Sequence, residues 1–186
     1  QNVEKTKNIH VEYVSANPTG PLHIGHGRGM ILGEVTAKFL SYQGHKITRE
    51  YYVNDAGRQI DLLLVSVLLC HVGKNKHIFV DEKANDDGHL VTYKGSYVND
   101  VATSLNHNLE KIDKDSVLDL LNEPIDSLIS FLKKHKSYSQ IRNALVNIII
   151  DKYIKVDLSA VGINFDTWFR ESQLYETGLL DEVLLN

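Results

Sequence analysis

The sequence holds a single cysteine, Cys70, among its 186 residues. One thiol forms neither an internal disulfide nor a cysteine-rich zinc site, and an apolar setting marks Cys70 as a small buried hydrophobe. No apolar run approaches the ~18 residues of a membrane span. The first residues, Gln1-Asn2-Val3-Glu4-Lys5, lack the apolar core of a secretory signal. A basic excess is missing too: 20 Lys and Arg stand against 24 Asp and Glu, for a net charge of −4. Proteins that hold nucleic acid mainly through its phosphates are usually basic. The one dense basic run, Lys133-Lys134-His135-Lys136, reads as a solvated helix end. These absences lead us to expect a cytoplasmic protein with no membrane partner. If RNA is a partner, most of its binding surface is expected in chain absent from this sequence.

What is present is ordinary for a globular protein: 42% hydrophobic and 24% charged residues. The length suits one domain, or one domain with a sizeable insertion. Asn8 to Val14 alternates Ile9, Val11 and Tyr13 on one face, as a strand does. A turn-rich stretch, Ser15 to Pro21, uses two of the three prolines. From about His26 the period changes, and Ile31, Val35 and Phe39, with Leu32 and Leu40 beside them, form the stripe of an amphipathic helix. Gly44 stands where a helix-terminating glycine belongs. Lys46 to Val53 reads as a second strand, followed by a helix with Ile60, Leu63, Leu64, Val67 and Leu68 on its apolar side. Strand, helix, strand at this spacing closes into a parallel pair. The expected fold is therefore α/β, a Rossmann-like parallel sheet.

The middle of the chain differs. Residues 73–95 lack a clear period and read as loop with one short strand. Two helical stripes follow: Val98, Val101, Ala102, Leu105, Leu109 and Ile112, then Ile125, Leu128, Ile129 and Leu132 behind Pro124. They predict a largely helical insertion at 73–140 between catalytic-domain segments at 1–72 and 141–186. The last segment is expected to hold a long helix from Ile141 to Val161, a strand at 165–171, and a short helix capped by Ser172. Tyr51 and Tyr52 alternate in a strand, so only one can face the core.

The chemistry concentrates at His23-Ile24-Gly25-His26, where the first strand's loop meets the first helix. A helix N-terminus offers free N–H groups and partial positive charge to a phosphate. Gly25 lets a nucleotide approach the backbone closely. Two imidazoles three residues apart share one side of a helical turn and can both donate to a phosphate gaining charge. A His-x-x-His pair is also half of a metal site, but no third ligand at fitting spacing appears nearby, so no structural metal is expected. At the second strand's end, Asn54, Asp55 and Gly57 read either as a strand–helix turn with Asp55 as cap or as a ligand-facing edge.

The stretch Val11 to His26 resembles the first signature, the "HIGH" motif, of class I aminoacyl-tRNA synthetases. Three further blocks resemble arginyl-tRNA synthetases in particular: Thr48 to Asp61, Tyr93-Lys94-Gly95-Ser96-Tyr97, and Val161 to Ser172. The resemblance implies roles. His23 and His26 would hold the ATP phosphates and stabilise adenylate formation, with Gly20 and Gly25 in the ATP site. Glu12 would pair with the guanidinium of substrate arginine, and Ser15 and Asn17 would receive its α-amino and carboxyl groups, with His23 beside them. ATP would arrive with Mg2+. The tRNA(Arg) partner would bind mostly through other domains of a monomeric full-length enzyme.

The second, lysine-containing signature, the rest of the sheet, the remaining arginine contacts, the anticodon-binding domain and the N-terminal tRNA-elbow domain find no match here. The expectation is a fragment that is incompetent in catalysis alone. Two other readings stay open at this point. Glutamyl-tRNA synthetases share the Pro-Thr-Gly-x-x-His-Ile-Gly-His pattern, although an acid at Glu12 would repel a glutamate side chain. A non-catalytic truncated module acting through its helical insertion is the other.

Overall fold

The computed structural model describes residues 5–177 apart from 78, 81–88 and 91. The chain divides into two compact units, 1–56 with 150–186, and 57–149. The first unit is built on a three-stranded, all-parallel sheet in the order β1-β2-β5: β1 (Asn8–Glu12), β2 (Lys46–Val53) and β5 (Thr167–Arg170). Helix α1 (Ile24–Tyr42) connects the first pair. β1 pairs in register with β2 from Asn8 opposite Lys46 to Glu12 opposite Glu50. Such parallel α/β sheets bind ligands beyond the carboxyl ends of their strands. Here that edge carries Glu12, Val53 and Arg170.

The second unit is helical around α2 (Arg58–His71), which is buried nearly all round from Leu63 to Leu69. A helix apolar on every side belongs at the centre of its neighbours. α2 packs against α3 (Ser96–Ser104), α4 (Asn106–Leu109), α6 (Ile125–Lys134) and α7 (Tyr138–Ile149), with α5 (Lys114–Asp119) completing the unit. A short antiparallel pair, β3 (Phe79–Val80) and β4 (His89–Leu90), lies within the stretch expected to be mostly loop. Asp61, 3% exposed, joins three helices: Tyr138 of α7 donates its hydroxyl to it, Lys133 Nζ of α6 lies 3.0 Å away and Arg142 Nε 3.4 Å. Burial, with the hydrogen bond to Asp61 second, pushes the Tyr138 hydroxyl's pKa up, so Tyr138 stays the donor.

Several expectations change in detail. The first strand stops at Glu12 instead of Val14, because the backbone leaves the sheet there. The stripe expected over 98–112 breaks at Leu105 into α3 and α4. The long helix exists as α7, a π-helical turn (Ile150–Ile154) and α8 (Lys155–Ala160), with Gly162 following at φ +74°. A π turn inserts one extra residue and is frequent at functional sites. Cys70 is only half-buried, its thiol donating to Asn99 Oδ1. Ser172 does not cap the last helix, α9 (Ser172–Glu176). It is the first residue inside it, and Asp55 supplies the cap from across the sheet edge. Residues 178–186, part of the expected third segment, lie outside the described residues.

The largest difference concerns α1. Its apolar stripe does not face the sheet: Ile31 is 65% exposed and Phe39 60%. The face turned inward carries Gly33, Glu34 and Ala37 instead. The reason is Tyr13, whose ring fills the space against α1. A Cβ at Gly33 would sit 2.2 Å from Tyr13 Cγ. The Tyr13 hydroxyl donates to Glu34 Oε2 at 2.5 Å, and Arg49 and Lys38 reach the same carboxylate at 3.3 and 3.2 Å. Burial alone would raise the Glu34 pKa, but the hydrogen bonds from Tyr13, Lys38 and Arg49 outweigh it and hold the group below its ordinary value. A buried charge so compensated is tolerated where a lone one would not be. Across the sheet, Tyr51 is the core tyrosine, stacked on Trp168 at 4.5 Å, while Tyr52 is half-buried.

Candidate active site

Beyond Glu12 the chain turns sharply. Val14 has φ +66° and Ser15 φ +40°, the left-handed region that a β-branched residue rarely enters. Such a conformation costs about 1–3 kcal/mol and persists only where its surroundings over-determine it. Here they do. The Ser15 hydroxyl accepts the Tyr52 N–H at 3.0 Å, Ser15 N–H donates to Tyr13 O at 3.0 Å, and the Tyr51 hydroxyl donates to Ala16 O at 2.9 Å. Burial, partly offset by that last bond, raises the Tyr51 pKa, so it remains protonated and donating. The turn carries the backbone off the carboxyl edge of the sheet toward the N-terminus of α1.

His23 is the N-cap of α1, with extended backbone at φ −129°, ψ 168°. Its Nδ1 accepts the Gly25 N–H at 3.1 Å, and His26 Nδ1 accepts the His23 N–H at 3.2 Å. The two histidines thus form a reciprocal capping box, a role usually filled by Ser or Thr with Glu or Gln. Their rings stack with centroids 3.9 Å apart. A neutral imidazole that accepts at Nδ1 carries its proton on Nε2. Each ring therefore offers a ligand one Nε2–H donor, in a tautomer fixed by the backbone. Burial first, and the neighbouring His23 second, lower the His26 pKa, which keeps its ring neutral near pH 7.

Gly25 is required for a reason the sequence did not reveal. A Cβ there would lie 2.9 Å from both Nδ1 and Cε1 of His23, so a side chain would push the ring off its cap. Close approach of His23 makes the demand on this position that close approach of a nucleotide would also make.

The remaining expected residues spread along the same edge. Glu12 ends β1, exposed, and its charge helps raise the Tyr52 pKa behind burial, Glu171, Tyr175 and Asp55. Asn17 is exposed and Gly20 half-buried in the loop between the strained turn and α1. The Ser15 hydroxyl accepts the Tyr52 N–H and keeps its own O–H and a second lone pair. Asp55, 2% exposed, binds Ser172 N–H and Oγ at 2.9 Å each and therefore serves β2, β5 and α9 rather than α2. Its neighbour Asn54 has a buried Oδ1 with no hydrogen-bond partner among the described residues.

Two features escaped sequence reading. Asp157 of α8 accepts the Leu22 N–H at 2.9 Å, directly before the His23 cap. A groove of about 480 Å³ runs beside α1, lined by His23, Met30, Ile31, Val35, Val161 and Ile163 among others. Neither leaves a local pattern, because each joins segments more than 100 residues apart. Among the described residues no group of three or more His, Cys, Asp or Glu side chains is placed to hold a metal ion, and no helix is long and apolar enough to cross a membrane.

A parallel sheet whose first strand leads through a loop into a helix that opens on His-Ile-Gly-His places the chain among class I aminoacyl-tRNA synthetase catalytic domains. Within that class the chain belongs to the arginyl-tRNA synthetase family: the model described as "tRNA synthetases class I (R), catalytic domain" matches residues 1–175. The arginine–tRNA ligase of Aquifex aeolicus is 33% identical over 199 residues, covering 99% of this chain and 33% of that protein. That of Acidithiobacillus ferrooxidans is 36% identical over 187 residues, covering 95% and 31%. A solved structure assigned as an arginyl-tRNA synthetase of Campylobacter jejuni matches with a TM-score of 0.63 at 28% identity, covering 93% of this chain and 32% of that one. The chain spans about a third of the length of the curated relatives it matches.

Proposed function

We propose that the protein containing this chain is an arginine–tRNA ligase of the class I type. Arginine's carboxylate attacks the α-phosphorus of ATP, the bond to the bridging oxygen breaks, and pyrophosphate leaves. The 3′-terminal ribose hydroxyl of tRNA(Arg) then attacks the carbonyl of the arginyl-adenylate and AMP leaves. The observation that carries this reading is the His23–His26 pair. Its two Nε2–H donors stand side by side at a helix N-terminus on the carboxyl edge of the sheet, where a phosphate is favoured. Preorganised donors of this kind act on charge that develops during displacement, typically ~10²–10³-fold in rate for each.

In this reading Gly20 and Gly25 flank the ATP, which brings its Mg2+ with it as substrate. Glu12, exposed at the end of β1, pairs with the guanidinium through charge-assisted bonds. Ser15, Asn17 and His23 face arginine's α-amino and carboxyl groups. The three-part organisation, with a helical insertion at 73–140 in the catalytic domain, belongs to the same proposal. So do a cytoplasmic location, a monomeric whole protein, and tRNA contacts made mostly elsewhere.

Arginine-dependent exchange of pyrophosphate into ATP by the whole protein, with tRNA present, tests the reading. Exchange with arginine but not citrulline or glutamate is expected. Exchange driven by glutamate, or none with any amino acid, overturns it. Replacing Glu12 by Gln should weaken arginine binding by ~1.5–3 kcal/mol, the worth of a hydrogen bond to a charged group. Unchanged affinity in a calorimetric titration removes Glu12 from the site.

A further inference from the structure

The His23–His26 cap is held by its own two side chains, but the peptide that leads into it is held from elsewhere. Leu22 N–H, one residue before the N-cap, donates to Asp157 Oδ2 at 2.9 Å across 135 residues of sequence. Leu22 and Asp157 are both half-buried, and both line the groove beside α1 together with His23. The Leu22 peptide is the last link between the strained turn and the helix. With its N–H fixed, the Pro21–Leu22 peptide plane is fixed, and only the φ and ψ of Leu22 separate it from the peptide that carries the His23 N–H, which His26 Nδ1 accepts at 3.2 Å. Backbone position and imidazole tautomer are thus joined in one chain of bonds: Asp157 to Leu22, Leu22 to His23, His23 to His26, and His23 back to Gly25.

Asp157 also has an unusual origin. It lies in α8, three residues after the π-helical turn that ends at Ile154. One residue inserted into a helix rotates everything after it by about 100° around the axis, at 3.6 residues per turn. The turn therefore decides which α8 side chain meets the Leu22 peptide. Leu158 beside it is buried, whereas Val156 is 56% exposed.

We infer that Asp157 is a positioning residue for the histidine pair: it holds the Leu22 peptide so that both imidazoles stay in the Nε2–H tautomer that donates to phosphate. It touches neither substrate and acts through His23 and His26. The inference rests on the function proposed above only for its kinetic consequence; the tautomer consequence stands by itself.

The test uses Asp157→Ala and Asp157→Asn in the whole protein, with two independent readouts. The first is imidazole ¹⁵N chemical shifts and amide exchange in protein labelled at histidine, leucine and glycine. The wild type should show Nδ1 unprotonated on both rings near neutral pH. Asp157→Ala should mix the tautomers and speed exchange at the Leu22, His23 and Gly25 amides. Asp157→Asn, which keeps an acceptor oxygen, should restore most of the wild-type pattern. The second is pyrophosphate exchange, in which kcat should fall about tenfold or more for Asp157→Ala, the scale on which misplaced reacting groups lose rate. KM for arginine should change less than kcat, since Glu12 and Asn17 keep their places and only the His23 contact is loosened.

Unchanged tautomers and amide exchange in Asp157→Ala overturn the inference, as does a loss of activity that follows only the folded fraction. A wild type that lacks arginine-dependent exchange sinks the proposed function instead, and the histidine spectra still decide the role of Asp157.

Discussion

Replacing Gly33 by Ala sets two effects of similar size against each other, and the structure decides the winner. In an exposed helix interior the change stabilises by roughly 0.5–1 kcal/mol, because glycine has more backbone entropy to lose. At Gly33 the new methyl would stand 2.2, 2.4 and 2.5 Å from Tyr13 Cγ, Cβ and Cδ2, far inside contact distance. Neither side can yield easily, since Tyr13 is 8% exposed and packs on Phe165 at 4.6 Å. Overpacking of this kind costs about 1–3 kcal/mol. Displacing the ring also breaks the Tyr13–Glu34 hydrogen bond, worth about 1.5–3 kcal/mol with an ionised acceptor. The net expectation is a loss of about 2–5 kcal/mol. Gly29, four residues earlier with nothing within 4 Å of its would-be Cβ, is the control and should gain stability. Urea unfolding followed by fluorescence of the single tryptophan, Trp168 in β5, reports on the sheet-bearing unit where both glycines lie. If Gly33→Ala stabilises as much as Gly29→Ala, the reasoning about Tyr13 is refuted. If Tyr13→Ala in the same chain does not relieve the penalty, the clash has been assigned to the wrong ring.

Acid should loosen the start of α1. The folded-state pKa of His26 lies below its unfolded value of ~6.5, so this contribution to stability is complete above that value and is lost as pH falls through the folded pKa. An NMR titration should place the His26 midpoint below 6.5, and a midpoint above it contradicts the capping geometry. Truncating Asp55 to Ala strands the Ser172 N–H and hydroxyl, removes the carboxylate 3.8 Å from Arg170 Nη1, and should destabilise the sheet-bearing unit by about 2–4 kcal/mol. Trp168 fluorescence measures that loss too. A change of less than 0.5 kcal/mol, within the range of ordinary surface substitutions, would mean that α9 is not held through Asp55.

Local pattern carried much of this protein. The strand–helix–strand order, the placement of His23-Ile24-Gly25-His26 at a helix start and the division of Tyr51 and Tyr52 between the faces of β2 all follow from spacings of a few residues. Short-range periodicity is the direct imprint of helix and strand geometry. The motif blocks were equally legible, and they led to the same family that the comparisons give.

Other features were settled only by the tertiary structure. The apolar residues of α1 predict a stripe, but not whether anything in this chain covers it. The sheet instead meets Gly33, Glu34 and Ala37, because one tyrosine from β1's end claims the space. Asp55 could cap any nearby helix by sequence, and it caps one that begins 117 residues later. Asp157 looks like any acid in a helix until the chain brings it to Leu22. Such partnerships depend on which segments meet after loop closure, and a pairing between distant residues imposes no period on the residues between them. The sequence by itself determined the order of the main strands and helices and the position of the histidine pair at a helix start. The tertiary structure decided which faces are buried and which distant side chains hold the histidine pair in place.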